Sequence, residues 1–210
     1  MIDILIIDDH AVVRAGMRQI ILGCPDMAVI EELFDSRDVI LTLRKRKFSV
    51  VILDIGLPDK NGIEVLKEIK NEFPLLPVLI LSMYPEDQYA IRALRSGAAG
   101  YVSKDSAPEE LITALRTVAT GRKYVSRALA GKLAVHLDVD AKKELHEALS
   151  DREYQVLCLI ASGRTISEIA EGLCLSVKTV STYRCRILDK MHLKNNAELI
   201  NYAIKNRLTD

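Results

Sequence analysis

Short apolar runs and longer amphipathic segments alternate through the first half of the chain. Ile4-Leu5-Ile6-Ile7, Val50-Val51-Ile52-Leu53 and Val78-Leu79-Ile80-Leu81 are unbroken and rich in β-branched residues. Strands covered on both faces read this way, because neither face alternates with water. Two weaker runs, from Met27 to Leu33 and from Ala99 to Val102, complete a set of five. Between them, segments 12–22, 37–46, 62–73, 88–96 and 109–119 have helical length, and prolines and glycines fall at the breaks. This alternation predicts a five-stranded parallel sheet with helices on both faces, a doubly wound α/β domain.

The pattern changes after Gly121. Residues 125–147 hold no strand-like run, and the stretch from Val125 through Leu129 and onward suits a short helix. From Leu149 the periodicity is helical throughout, with helices predicted over 151–162, 166–172, 177–191 and 197–206. Ser150 stands three residues before Glu153, the spacing of a capping box. The expected organisation is a first domain over 1–122, a linker over 123–147 and an all-α domain over 148–210. The linker is not Gly/Ser-rich, so it reads as semi-ordered rather than as a free tether.

Composition narrows the classes. The chain has 210 residues, 49% hydrophobic and 28% charged, which supplies the cores of one or two domains and excludes disorder. Lys+Arg 29 balances Asp+Glu 29, so nucleic acid can be held only by a local patch. Residues 148–210 carry 9 basic and 7 acidic side chains, a net +2, against 16 and 18 in 1–124. No apolar stretch approaches the roughly 18 residues that span a bilayer. The amino terminus, with Asp3, Asp8 and Asp9 and no basic segment, lacks the look of a secretory signal. The four cysteines form no CxxC, as expected of a reducing compartment, so a cytoplasmic protein without a membrane partner is expected. With no Trp, 3 Phe and 7 Tyr, a stacking platform for sugars or single strands is disfavoured.

In an open parallel sheet the carboxyl ends of the strands converge on the ligand crevice. Here those ends are polar: Asp8 and Asp9 after the first strand, Asp54 after the third, Ser82 after the fourth and Lys104 after the fifth. Clustered carboxylates repel one another, and a hard divalent cation such as Mg²⁺ compensates them where phosphate is handled. A lysine and a hydroxyl facing the same crevice suit phosphoryl oxygens. The simpler reading, acidic residues that merely end strands and cap helices, accounts for Asp9 alone better than for the set of four ends. His10 is read as a first-turn helix residue rather than a ligand, and Asp59 and Asp105 as solvated turn residues.

Ile-Ile-Asp8-Asp9-His, Ile-Leu-Asp54-Ile-Gly-Leu-Pro58-Asp-Lys-Asn-Gly62, Leu-Ser82 and Gly-Tyr101-Val-Ser-Lys104 resemble the receiver domain of bacterial two-component response regulators over about residues 1–122. The resemblance implies a flavodoxin-like fold in which Asp54 accepts a phosphoryl group from a sensor histidine kinase. It implies Mg²⁺ held by Asp8, Asp9, Asp54 and the backbone carbonyl of Gly56. Lys104 and Ser82 would take the phosphoryl oxygens, and Tyr101 would act as an aromatic switch. Such a protein is no enzyme beyond its own phosphoryl transfer and dephosphorylation.

The second domain reads helix, turn, helix. Thr165 or Ser167 starts the first helix, Cys174-Leu175-Ser176 turns, and Ser176 caps the next. At about 100° per residue, Val177, Val180, Ile187, Leu188 and Met191 share an apolar stripe. Lys178, Thr182, Cys185 and Arg186 point outward with Ser181 at the margin, small and basic as a major groove requires, and Lys178 and Thr179 mark a helix amino terminus suited to phosphate. Two packed helices of a bundle give the same pattern. Leu149-Ser-Asp-Arg-Glu153-Tyr-Gln-Val-Leu157, Ile166-Ser-Glu-Ile-Ala170 and Leu175-Ser-Val-Lys-Thr179-Val180-Ser-Thr-Tyr resemble the LuxR-type four-helix DNA-binding domain, and the whole chain resembles the NarL/FixJ class of response regulators. The resemblance implies a transcription regulator that binds double-stranded promoter DNA as a homodimer when phosphorylated. Relatives often carry Lys where this chain has Ser181 and Cys185. The stripe Ala197, Ile200, Ala203 and Ile204 suits either a dimer face or packing within the domain. Two other classes fit parts of the pattern: a Mg²⁺-dependent phosphatase, which lacks an acid two residues after Asp54 and a lid, and a DNA-binding protein whose receiver never takes phosphate.

Overall fold

The computed structural model describes residues 1–84, 86–126, 129–130, 144–206 and 208. These divide into two compact units, Met1–Val135 and His136–Asp210.

The first unit is built on five parallel strands, β1 (Ile2–Ile7), β2 (Met27–Leu33), β3 (Val50–Leu53), β4 (Val78–Ser82) and β5 (Gly100–Ser103), ordered β2-β1-β3-β4-β5. The helices between them are α1 (Ala11–Leu22), α2 (Val39–Lys45), α3 (Gly62–Glu72), α4 (Glu86–Arg95) and α5 (Pro108–Ala119). Strand alternation sends Ile4, Ile6, Val50 and Ile52 into one layer with Met17 and Ile21 of α1 and Leu111 and Leu115 of α5. The intervening positions, Leu5, Ile7, Val51 and Leu53, are fully buried as well and face the opposite layer. Burial of such a side chain contributes ~1.5–3 kcal/mol, so three central strands apolar on both faces supply most of the cohesion. The five predicted strands and the doubly wound arrangement are present, with ends differing by one or two residues.

The chain leaves this unit later than the expected boundary at residue 122. Tyr124 N–H donates to Ala99 O (2.8 Å), Tyr124 bridges Gly100 as a parallel partner, and Lys123 Nζ donates to Ala98 O (2.6 Å). Ser126 Oγ donates to Glu86 Oε2 (2.7 Å) at the start of α4. Residues 123–126 therefore pack on the first unit, because the open side of β5 offers them unpaired backbone groups. The short helix expected from Val125 onward falls largely on residues 127–128 and 131–143, outside the described residues.

The second unit holds a single 3₁₀ turn (Leu145–Ala148) and the helices α6 (Asp151–Ala161), α7 (Ile166–Gly172), α8 (Val177–Lys190) and α9 (Asn196–Lys205) among its described residues. α6 packs on α8 and α9, and α7 on α8. The expected capping box forms at Ser150 and Glu153, and a second one at Thr165 and Glu168 starts α7. Val180, Ile187 and Met191 are buried as predicted, but Val177 is 51% exposed. It sits at the first position of α8, one full turn before burial begins at Val180. In α9 the buried pair is Leu199 and Ala203, while Ala197 and Ile204 are exposed, so the predicted stripe is split between packing and solvent. Among the described residues no helix is long and apolar enough to cross a membrane.

Candidate functional site

The acidic pocket lies where β1, β3 and β5 end. Asp8 and Asp54 are buried and Asp9 is half-buried. Asp54 N–H donates to Ile7 O (2.9 Å), which locks the end of β3 to the end of β1. Lys104 N–H donates to Ser82 O (2.9 Å), which does the same for β5 and β4. Lys104 then reaches into the pocket, its Nζ 2.7 Å from Asp54 Oδ2 and 2.8 Å from Asp8 Oδ2, with the side chains of all three almost wholly excluded from solvent.

Burial pushes the Asp54 carboxyl above its ordinary value; Lys104 opposes this, and Asp8 adds to it by like-charge repulsion. Burial alone would lower the Lys104 ammonium, but Asp54 and Asp8 together carry it upward, so the lysine stays charged. Three carboxylates against one ammonium leave an excess of negative charge facing Asp9 and solvent. One ligating atom from each of Asp8, Asp9, His10 and Asp54 lies within 4.8 Å of the others. Hard oxygen donors with uncompensated negative charge fit a hard divalent cation.

The loop after Asp54 is shaped around that residue. A Cβ on Gly56 would make only ordinary contact with Asp54 Oδ2 at 3.4 Å, whereas a Cβ on Gly62 would fall 2.0 Å from Asp54 O. Gly62 N–H donates to Ile55 O (2.9 Å), and Asn61 Oδ1 caps α3 by accepting from Ile63 N–H (2.9 Å). Asp59 is exposed, as expected, and also accepts from Ser36 N–H (3.2 Å) and Ser36 Oγ (2.7 Å), which ties this loop to the one after β2. The partner lies 23 residues away in the chain, so no local pattern signals it. His10 does not lie in the first turn of α1; it is the extended residue before it.

Ser82 is buried at the end of β4, and its Oγ accepts from Tyr84 N–H (3.2 Å). Tyr101 is fully buried and donates its hydroxyl to Tyr84 O (2.6 Å). Residues 82 and 101 thus meet at the backbone of Tyr84. Burial raises the Tyr101 hydroxyl pKa strongly, which keeps it a donor.

In the second unit, Ser176 Oγ accepts from Thr179 N–H (3.0 Å) and starts α8 after a turn in which Cys174 adopts a left-handed conformation (φ 52°). Lys178, Thr182, Cys185 and Arg186 are exposed along α8, and Thr179 and Ser181 are half-buried beside them. Arg184 is turned away, donating to Asn196 Oδ1 (2.6 Å). A buried polar network that the sequence did not single out holds the helices in place. Arg152 donates to Gln155 Oε1 (2.8 Å) and to Leu173 O (3.2 Å) at the end of α7. Lys190 Nζ reaches Glu153 Oε2 (2.6 Å), fastening α8 to α6.

Fold and pocket together define a receiver-type signalling domain joined to a helix-turn-helix reader of DNA. The family of response regulator receiver domains matches residues 4–116, and that of bacterial regulatory proteins, luxR family, matches 147–203. The chain is 32% identical over 209 residues to the response regulator UvrY of Escherichia coli (strain K12), covering 99% of this chain and 96% of that one. It is 37% identical over 214 residues to the oxygen regulatory protein NreC of Staphylococcus haemolyticus, covering 99% of each. Among solved structures, RcsB from Salmonella enterica serovar Typhimurium, bound to promoter rprA in the presence of phosphomimetic BeF₃⁻, superposes with a TM-score of 0.65. It shares 31% identity and covers 96% of this chain and 97% of that one. The chain belongs to the NarL/FixJ class of two-component response regulators, DNA-binding transcription regulators with a receiver and a LuxR-type domain. Receiver domains generally bind Mg²⁺.

Proposed function

We propose that Asp54 is the phosphoacceptor and that its phosphorylation controls binding of promoter DNA by a homodimer. The observation that carries this reading is the buried bridge from Lys104 Nζ to both Asp54 and Asp8. One Asp54 oxygen attacks the phosphorus of a phosphohistidine on a sensor histidine kinase, and the P–N bond breaks with its electron pair going to the imidazole, which is protonated by solvent as it leaves. Asp8, Asp9, Asp54 and the Gly56 carbonyl would hold Mg²⁺, which would neutralise charge on the transferred group. Lys104 exchanges its Asp54 contact for a phosphoryl oxygen, and Ser82 Oγ donates to another.

Phosphorylation adds about −1.5 to −2 charge where carboxylates already crowd. Drawing Ser82 toward it withdraws the acceptor used by Tyr84 N–H, and Tyr84 O is the acceptor of Tyr101. The β4–α4 loop is therefore the element through which Tyr101 senses the pocket. Downstream, Lys178 and Arg186 take phosphates, while Thr179, Ser181, Thr182 and Cys185 lie along the groove. A local net charge of +2 favours two copies on adjacent half-sites, which roughly doubles the phosphate contacts. DNA as the target supports a cytoplasmic location.

The test is intact mass after incubation with Mg²⁺ and a small-molecule phosphodonor, wild type beside Asp54→Asn. A gain of one phosphoryl group in the wild type alone, followed by tighter DNA binding, is expected. No gain would leave a regulator whose receiver does not take phosphate.

A further inference from the structure

Beside the carboxylates assigned to the cation stands a side chain with no role so far. His10 N–H donates to Asp8 Oδ1 (2.8 Å), which fixes the residue in the loop that carries the pocket. Its Nδ1 lies 2.7 Å from Asp9 Oδ1 and 3.4 Å from Asp8 Oδ1. With Asp54 included, the four ligating atoms fall within 4.8 Å of one another. In an octahedral shell with bonds of ~2.1 Å, neighbouring donors are about 3 Å apart and opposite ones about 4 Å apart, so the set as it stands draws in by somewhat under ~1 Å at its widest when it closes on an ion. The two His10 separations straddle the first of these distances, so Nδ1 sits where a neighbour of both aspartates belongs. Asp8 and Asp54 close the buried side of this shell, and the His10 ring, with 60% of its side chain exposed, stands on the open side.

We infer that His10 is a nitrogen ligand of the receiver cation site and shifts its preference from Mg²⁺ toward divalent ions that accept imidazole. This rests on the reading of Asp8, Asp9 and Asp54 as cation ligands. Ligation uses the neutral ring with its hydrogen on Nε2, leaving the Nδ1 lone pair for the metal. Mg²⁺ favours oxygen and keeps water where the imidazole stands, whereas Mn²⁺ and the later ions gain from nitrogen. The backbone bond to Asp8 involves the His10 N–H and survives replacement of the side chain.

The full chain is titrated with Mn²⁺ and Mg²⁺, and the bound Mn²⁺ is examined by electron spin-echo spectroscopy for ¹⁴N coupling. Imidazole-type ¹⁴N modulation is expected in the wild type and not in His10→Ala, whose ratio of Mn²⁺ to Mg²⁺ affinity falls about tenfold. His10→Asn, which keeps an amide donor for Asp9 without an imidazole, is expected to behave like His10→Ala. Stoichiometric Mn²⁺ without ¹⁴N modulation, or Mn²⁺ and Mg²⁺ affinities that fall together in His10→Ala and recover in His10→Asn, would overturn the inference and leave the aspartates as ligands. Absence of Mn²⁺ and Mg²⁺ binding in the wild type would overturn both the inference and the reading of the pocket.

Discussion

Gly62 offers the sharpest perturbation of the pocket, because it touches no functional group and yet sets the position of one. A Cβ placed there lies 2.0 Å from Asp54 O and 2.7 Å from Ile55 Cα. Unstrained carbon contacts are ~3.5–4.0 Å, so backbone must retreat by on the order of 1 Å. Forcing a methyl into such packing costs ~1–3 kcal/mol. The retreat also breaks Gly62 N–H to Ile55 O, a further ~1 kcal/mol, whereas alanine in a helix returns up to ~1 kcal/mol. Gly62→Ala is therefore expected to destabilise the first unit by about 1–3 kcal/mol, several degrees in Tm for a domain of this size. Gly16, in the exposed middle of α1, has nothing within 4 Å of its built Cβ. Gly16→Ala is thus the control, and it should stabilise by ~0.5–1 kcal/mol. Calorimetry of both variants in the full chain, with phosphodonor labelling of Gly62→Ala, checks the argument. A Gly62→Ala transition as high as that of Gly16→Ala would refute it.

Asp54→Asn should melt above the wild type at neutral pH. The folded carboxyl is held above its ordinary value, so the unfolded chain releases that proton first and stability falls as pH rises through the interval between the two. Lys104 keeps Asp8 as its partner in the variant, and a lower Tm would contradict the account. Glu153 behaves oppositely: burial opposes its ionisation, but Lys190 and the Ser150 backbone hold it below the ordinary carboxylate value of 4.5. Its contribution is complete above that value and is lost as pH falls through the depressed folded value, so Glu153→Gln should flatten the acid limb of a Tm–pH curve for the second unit. Lys178→Ala is expected to weaken binding to every DNA sequence alike and to reduce the slope of log affinity against log salt by about one; an unchanged slope would move the phosphate contact elsewhere. Val180→Ala should cost the second unit ~1–3 kcal/mol in chemical denaturation, since Val180 is wholly enclosed.

The parallel sheet was legible because its central strands are buried on both faces and so appear as unbroken apolar runs. The pocket was legible for a related reason: Asp8, Asp54 and Ser82 each follow such a run, Lys104 follows the weaker run of β5, and parallel strands bring their carboxyl ends to one edge. Lys104 and Asp54 are 50 positions apart, yet topology alone pairs them. Phase was harder to read. Val177 fits the helical stripe of α8 by angle, but its turn lies beyond the buried part of the helix, and periodicity carries no information about where a partner ends. The same holds for Leu199, whose burial depends on which side of α9 meets α6. Asp59 with Ser36, and Arg152 with Leu173 O, join loops and helix ends distant in sequence, contacts that leave no local trace.

The departure of the chain from the first unit bears on solubility. β5 is the last strand of its sheet, and such an edge is a template on which a second molecule can add a strand. The Tyr124 N–H already occupies Ala99 O, and Gly100, where a Cβ would meet Tyr124 O at 2.9 Å, lets the two backbones close. On the far edge, Glu31 and Glu32 of β2 place charge in the path of any incoming strand, with Arg18 paired to Glu32 at 2.7 Å. A receiver cut after residue 122 would lose the first of these guards, whereas one extended through Ser126 would keep it. The opening residues of the connector thus act as a chaperone built into the chain, shielding the sheet from its own copies.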